Sequence, residues 1–294
     1  MNGIPEKLYK YVPAARVDIL KNLNIRFTQP SALNDPFEFN LLFTEVVSVQ
    51  ELRDHYPKIN IEEVMNAEIN KLPEHEKAAL SHLPKEILYD LMRANLSALF
   101  ETPILDNLHR DHIKPHTDNF KNVIGDAFNR LIGILSLSSD PCSPPMWASY
   151  AENSKGFAVE FDASANFFNR RRSESDEFYH LRKVIYEDRM SSGPMSEIAS
   201  DIFVHKSLSW KYENEWRMLV PLETADRKFT TPEGDDIFLF DYPPSLVSGI
   251  VFGLNTSEQT IEIVKEIISQ NSSLSHVEFK KVIKGSVGFE LDPF

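Results

Sequence analysis

The apolar positions of this chain follow two rhythms. Short runs of aliphatic and aromatic residues, some alternating with polar ones, lie towards both ends, and a long stretch between them has apolar residues at helical spacing. Leu8-Tyr9-Lys10-Tyr11-Val12 predicts a first strand, and Ile25-Arg26-Phe27-Thr28 a second, ended by Pro30. Between them Pro13 fits a helix start, with Val17, Ile19, Leu20 and Leu23 at helical spacing and Asn24 as the stop. Ile132–Ser138 reads as a buried strand and Gly156–Asp162 as an alternating one. Lys183–Glu187, Asp236–Phe240, Ser248–Gly253 and Val277–Val282 predict further strands. Pro145 opens a turn or two of helix carrying Trp147 and Tyr150. Ser196–Leu208 predicts a helix burying Ile198, Ile202, Phe203 and Leu208, and Ser257 caps another that ends about Ser269.

From about Glu45 to Asn129 the strand signals stop. Val49, Leu52, Val64, Met65, Ile69, Leu88, Leu91, Leu96 and their neighbours keep helical spacing, with breaks at Pro57, Pro73, Pro84, Pro103 and Pro115. Four or five helices are expected there. The fold predicted is α+β: a twisted mixed or antiparallel sheet with flanking helices, one domain over residues 1–294, with residues 46–129 as a helical insertion after the first strands.

Composition narrows the classes. The 294 residues are 42% hydrophobic and 26% charged, as in soluble globular proteins. No run approaches the ~20 apolar residues that span a bilayer, and Met1–Lys7 has no signal-peptide core. A net charge of −13 argues against sequence-independent nucleic-acid binding, which needs a basic face. The single cysteine, Cys142, excludes an internal disulfide and any cysteine-based zinc cluster, so a cytoplasmic location is expected. His109 and His112 could share a helix face but lack the glutamate of a zinc helix, and no metal is expected. The scattered glycines form no phosphate-binding loop.

Three dense stretches hold the candidate chemistry. Ser209–Val220 packs Trp210, Tyr212, Trp216, two carboxylates and Arg217 together. Read as one strand, it puts Glu213, Glu215 and Arg217 on one face and Asn214, Trp216 and Met218 on the other. Such a face suits a cleft; a solvated charge ladder would show the same pattern. Asn34-Asp35-Pro36-Phe37-Glu38 is a turn signal whose Asn34, Asp35 and Glu38 could bind a hydroxyl-rich ligand. Met146-Trp147-Ala148-Ser149-Tyr150 adds aromatics.

These stretches, in order, resemble a bacterial family named as domain of unknown function 2971. The resemblance rests on Leu8–Tyr11, Leu33–Glu38, Met146-Trp147 with Tyr150, Gly156–Phe161, and Lys211–Arg217, and covers residues 8–45 and about 130–255. More distantly the chain is similar to ADP-ribosyltransferases, especially those modifying nucleic-acid bases. That similarity implies an NAD-contacting residue on the first strand (Tyr9, Lys10 or Tyr11), a second position at Ser138 or Tyr150, and a catalytic Glu215. The first strand departs from the pattern in having neither His nor Arg. Tyr11 and Tyr150 would frame nicotinamide, Arg26 or Arg217 would contact the diphosphate, and Glu213 would complete the substrate site.

Three functions follow as expectations. The first is an NAD-dependent ADP-ribosyltransferase-like enzyme, with a role in phage defence or toxicity, in which Glu215 steadies positive charge developing on ribose. The second is a non-catalytic ligand sensor or partner-binding protein that retains the pocket. The third is a metal-dependent hydrolase using Asp35, Glu38, Glu213 and Glu215. Each expects a small-molecule ligand, with NAD as the cofactor of the first.

Overall fold

The computed structural model describes residues 3–35, 46–55, 58, 60–80, 84–101, 103–187 and 200–294. Their strands are β1 (Lys7–Val12), β2 (Asn24–Phe27), β3 (Ile132–Ser138), β4 (Phe157–Asp162), β5 (Leu181–Lys183), β6 (Ile185–Tyr186) and β7 (His205–Lys206). They continue with β8 (Glu215–Pro221), β9 (Arg227–Thr230), β10 (Asp236–Asp241), β11 (Val247–Phe252), β12 (Glu278–Lys284) and β13 (Phe289–Pro293). The fold is α+β. Its main sheet runs β13-β12-β11-β4-β1-β3-β8-β5, antiparallel except where β11 lies parallel to β12. A second sheet runs β2-β10-β9, and β6 pairs with β7.

Alternation sorts the side chains of this sheet between two cores. Leu8 and Val12 of β1, Phe157, Val159 and Phe161 of β4, and Trp216 and Met218 of β8 enter the larger one. There they meet Ile261, Val264 and Ile268 of the helix Glu258–Gln270. Ser257 caps that helix by accepting from Thr260 N at 3.2 Å. Tyr9, Tyr11 and Ala158 enter the smaller core with Met146 and Trp147 of the helix Pro144–Tyr150. Trp147 is fully buried and donates its indole N–H to Pro141 O at 2.8 Å.

Close approach fixes Gly253 beside that tryptophan. A Cβ there would stand 2.2 Å from Ser154 O and 3.0 Å from the Trp147 ring. Only glycine lets the end of β11 reach the loop that follows the tryptophan helix.

The chain divides into two compact units. One comprises Met1–Asn40, Gly125–Met190 and Ser200–Phe294, and holds the sheets; the other comprises Leu41–Ile124 and Ser191–Ala199. The described part of the second is helical: Val49–His55, Ile61–Lys71, Glu74–Leu80, Lys85–Glu101 and Pro103–Leu108, with the helix Thr117–Leu131 beginning in it. Asn60 caps the second of these helices by accepting from Glu63 N, and Pro103 occupies the first position of the fifth. Pro57 lies outside the described residues.

Three sequence expectations change. The helix expected over Ser196–Leu208 is replaced, where described, by a 3-10 turn at Ser200–Phe203 and by β7. Its backbone is claimed by pairing instead: Ile185 N donates to Val204 O at 2.7 Å and Glu187 N to Lys206 O at 3.0 Å. The helix expected after Pro13 is a 3-10 turn, Ala14–Arg16, and one short α-helix, Asp18–Asn22, stopped by Leu23 in the left-handed region at φ 50° rather than by Asn24. The third change bears on the site. Ser209–Val220 is no single strand: Leu208–Glu213 is a 3-10 helix, Asn214 is left-handed at φ 45° and ψ 47°, and β8 begins at Glu215.

Candidate functional site

A fork in the main sheet makes room for a cavity. β1 pairs with β4 over six residues, yet with β3 only through Tyr9 opposite Ser138. Farther along, β3 takes a different neighbour: Thr28, at the end of β2, exchanges two 2.8 Å hydrogen bonds with Ile134. Between these two pairings the carbonyl of Ser136 accepts from Lys10 Nζ at 3.0 Å. A cavity of about 180 Å³ opens beside this gap, lined by residues of β1, β3, the loop after β2, the tryptophan helix and the Lys206–Glu215 segment.

The sequence candidates Tyr9, Lys10, Tyr11, Asn34, Ser138, Tyr150, Glu213 and Glu215 all line this one cavity. Arg217, Asp35 and Arg26 are not among its lining residues, and Glu38 lies outside the described residues. Arg217 is wholly buried and Asp35 is buried. Arg26, on β2, is partly exposed.

Glu213 and Glu215 reach the cavity by different routes. The left-handed Asn214 turns the chain between a 3-10 helix and a strand, and both carboxylates then converge on Lys206. Lys206 Nζ donates to Glu213 Oε2 at 2.6 Å and to Glu215 Oε2 at 3.3 Å. Arg217 grips Glu215 in a fork, Nε to Oε1 at 2.8 Å and Nη2 to Oε2 at 2.9 Å, and gives Nη1 to Phe203 O at 2.7 Å. The Glu215 backbone N–H donates to the Tyr186 hydroxyl at 2.8 Å. Tyr150 donates its hydroxyl to Glu213 Oε1 and accepts from Asn34 Nδ2. Ser138 donates to the Glu213 carbonyl at 2.6 Å, tying β3 to the turn.

The two acids are driven apart. Burial alone would raise Glu215, but the charges of Arg217 and Lys206 outweigh it and hold its carboxyl at about 2. For Glu213 burial prevails over Lys206, the charge of Glu215 adds to it, and the carboxyl lies above its usual range. Burial, then Glu213, pushes the Tyr150 phenol up. Burial lowers the Lys10 amine to about 8, with Arg16 and Arg26 lowering it further and Glu215 and Glu213 opposing them. Tyr9 is pushed up by burial and then by Glu160, a buried carboxylate satisfied by Lys280 Nζ at 2.7 Å and Ser248 Oγ at 2.9 Å.

Sequence reasoning missed Lys206, Thr28, Ser136 and Met146 as cavity residues. Lys206 sat in a segment read as helix, and nothing local marked it. Thr28 and Ser136 become visible only when β3 is seen to change neighbours. The diphosphate role expected of Arg217 meets a guanidinium already spent on Glu215 and Phe203.

No curated protein and no solved structure matches the chain. A family model does, over residues 146–218, a shorter span than the motifs suggested. That span contains Tyr150, Lys206, Glu213 and Glu215, which line the carboxylate side of the cavity, and Arg217, which grips Glu215. Across those residues the chain matches the family described as "Protein of unknown function (DUF2971)".

Proposed function

We propose that the cavity binds an NAD-class nucleotide and that the protein is ADP-ribosyltransferase-like. One observation carries this reading. The positions that the resemblance assigns, on β1, at Ser138 or Tyr150 and at Glu215 of β8, all line one cavity, and with Ser138 as the second they fall on three successive strands of one sheet. The residues around them suit such a ligand: Tyr9, Tyr11 and Tyr150 offer aromatic surface for a planar ring, and the carboxylates offer acceptors for ribose hydroxyls. When bound, NAD would supply a nicotinamide–ribose bond for cleavage.

The two acids divide the work. Glu215, clamped by Arg217 and Lys206, is a fixed negative charge that favours positive charge developing nearby. Glu213, raised by burial and linked to the Tyr150 hydroxyl, is the more readily protonated of the two and the group suited to exchanging a proton. Turnover of NAD would make the protein a toxin-like effector of the kind expected in phage defence.

A second reading, a ligand sensor without catalysis, is favoured by the clamp itself, since both Glu215 oxygens already accept from Arg217. The metal-dependent alternative is less well supported, because the oxygens it needs on Glu213 and Glu215 accept from Lys206 and Arg217.

Calorimetry with NAD, with nicotinamide assayed in the same samples, separates the readings. Binding with nicotinamide release that is lost in both Glu213→Gln and Glu215→Gln supports the enzyme. Binding without release supports the sensor. Absence of binding at millimolar NAD overturns both for this ligand.

A further inference from the structure

Two cations beside the fork have almost nothing to hold. Lys10 Nζ lines the cavity, yet among the described residues its one side-chain hydrogen bond goes to a backbone carbonyl. Among the described residues no carboxylate lies within 4.0 Å of it, since Lys206 and Arg217 take both Glu213 and Glu215. Arg26 forms no hydrogen bond or ion pair with any described residue, and its Nε is buried without a partner. A guanidinium brings five donors in a rigid fork, so a buried unfilled position is costly. Period two along β2 puts Arg26 on the same face as Thr28, which lines the cavity.

The charges agree with the geometry. Burial depresses Lys10, with Arg16 and Arg26 adding to it against Glu215 and Glu213, and burial followed by Arg16 depresses Arg26 against Asp235. Arg16 itself is paired with Asp18 at 2.9 Å. Positive charge therefore accumulates on one side of the fork in a chain whose net charge is −13. Glu215, Glu213 and Asp235 act on the pair only from a distance, so among the described residues a directly bound anion is what such a place lacks. A tetrahedral oxyanion can take a guanidinium through two oxygens while a third accepts from an ammonium or a hydroxyl.

We propose that Lys10 and Arg26, with the Thr28 hydroxyl, form an oxyanion receptor at the fork, and that the ligand of the cavity is a phosphate ester or diphosphate whose phosphate sits there. The proposal rests on the reading that this cavity is the ligand site, but not on the ligand being NAD. The cavity then has two ends of opposite demand. The Glu213–Glu215 end takes hydroxyls or positive charge, and the end lined by Lys10 and Thr28, with Arg26 next along the same face of β2, takes phosphate. The positively charged end is formed by β1 and β2, outside residues 146–218, so a protein sharing only the carboxylate side need not share this preference.

The test is calorimetric titration with inorganic pyrophosphate, ADP-ribose and NAD. The proteins are wild type, Lys10→Gln, Lys10→Arg, Arg26→Gln and the charge-matched surface variant Lys284→Gln, each first checked for an unchanged thermal transition. Pyrophosphate should bind wild type and Lys284→Gln alike. It should weaken about tenfold or more in Lys10→Gln and Arg26→Gln, as expected for a lost charge-assisted hydrogen bond, and recover in part in Lys10→Arg. Equal binding by all proteins, or none by wild type, overturns the receptor. NAD binding that ignores both Gln substitutions also overturns it while leaving the NAD reading intact. Pyrophosphate and ADP-ribose binding that depends on Lys10 and Arg26, with no affinity for NAD, sustains the receptor and removes the NAD reading.

Discussion

Lys206 and Glu213 form a buried ion pair, Nζ to Oε2 at 2.6 Å, and the same ammonium lies 3.3 Å from Glu215 Oε2. One lysine thus keeps two carboxylates close without leaving their repulsion uncompensated. The Trp210 ring, 4.8 Å from that nitrogen, adds a cation–π contact. Removing the ammonium should cost far more than a surface charge. Lys206→Met should lower unfolding free energy by about 3–5 kcal/mol at neutral pH, the usual penalty for leaving buried charge unpaired. Urea denaturation measures it, and part of the loss should return on mild acidification as Glu213 takes up a proton.

The two glutamates should answer to pH in opposite senses. Glu215 has a folded value of about 2 against an ordinary 4.5. Its stabilisation is fully present above the ordinary value and lost as pH falls through the folded one, on the order of 3 kcal/mol in all. Glu213 is raised, so its ionisation opposes folding, and stability declines as pH climbs from the ordinary value through the folded one. Unfolding free energies from urea denaturation across the acid range should show Glu215→Gln losing the acid-side dependence, destabilised above the ordinary carboxyl value and converging on wild type as pH falls towards about 2. Glu213→Gln should flatten the decline at higher pH and stay within about 1 kcal/mol of wild type at neutrality.

Tyr150 joins the Asn34 loop to the carboxylates, since its hydroxyl accepts from Asn34 and donates to Glu213. Tyr150→Phe keeps the ring and removes both bonds. Glu213, deprived of a donor that favours its ionised form, should titrate still higher, and stability should fall by about 1–2 kcal/mol. Carbon-detected NMR of the Glu213 carboxyl through a pH series reads the first effect, and thermal unfolding reads the second.

The parts of this molecule that could be read from sequence are those that local rules decide. β3 falls over Ile132–Ser138 as expected, because a buried central strand is a run of apolar residues. β9 and β13 went unread, because their mostly exposed side chains leave no apolar alternation to detect. The site divides in the same way. Glu213, Glu215 and Arg217 stand out because charge beside tryptophan is unusual. Lys206 does not, because its meaning comes from β7 pairing with β6 and from carboxylates seven and nine residues later. The fork is a tertiary event with no local signature: Thr28 and Tyr9, distant in sequence, take turns beside the same strand.

Asn214 shows how a sound inference reached its result by another path. The alternating reading put Glu213 and Glu215 on one face of a strand, whereas a single left-handed residue between a 3-10 helix and β8 brings them together. That conformation crowds a Cβ against the following carbonyl, and asparagine tolerates it better than most residues. Asn214 also has a partner, since its carbonyl accepts from Ser139 N at 3.1 Å. Asn214→Gly relieves the crowding and retains that backbone bond, so it should leave stability within about 1 kcal/mol of wild type. Asn214→Val forces a β-branched side chain into the left-handed region and should cost about 2 kcal/mol or more. The valine variant should also change the spacing of Glu213 and Glu215 about Lys206. In chemical denaturation it should lose stability and the opposed pH responses together, while the glycine variant keeps both. A valine variant as stable as wild type, with both titrations intact, would show that the left-handed turn is not what joins the two acids.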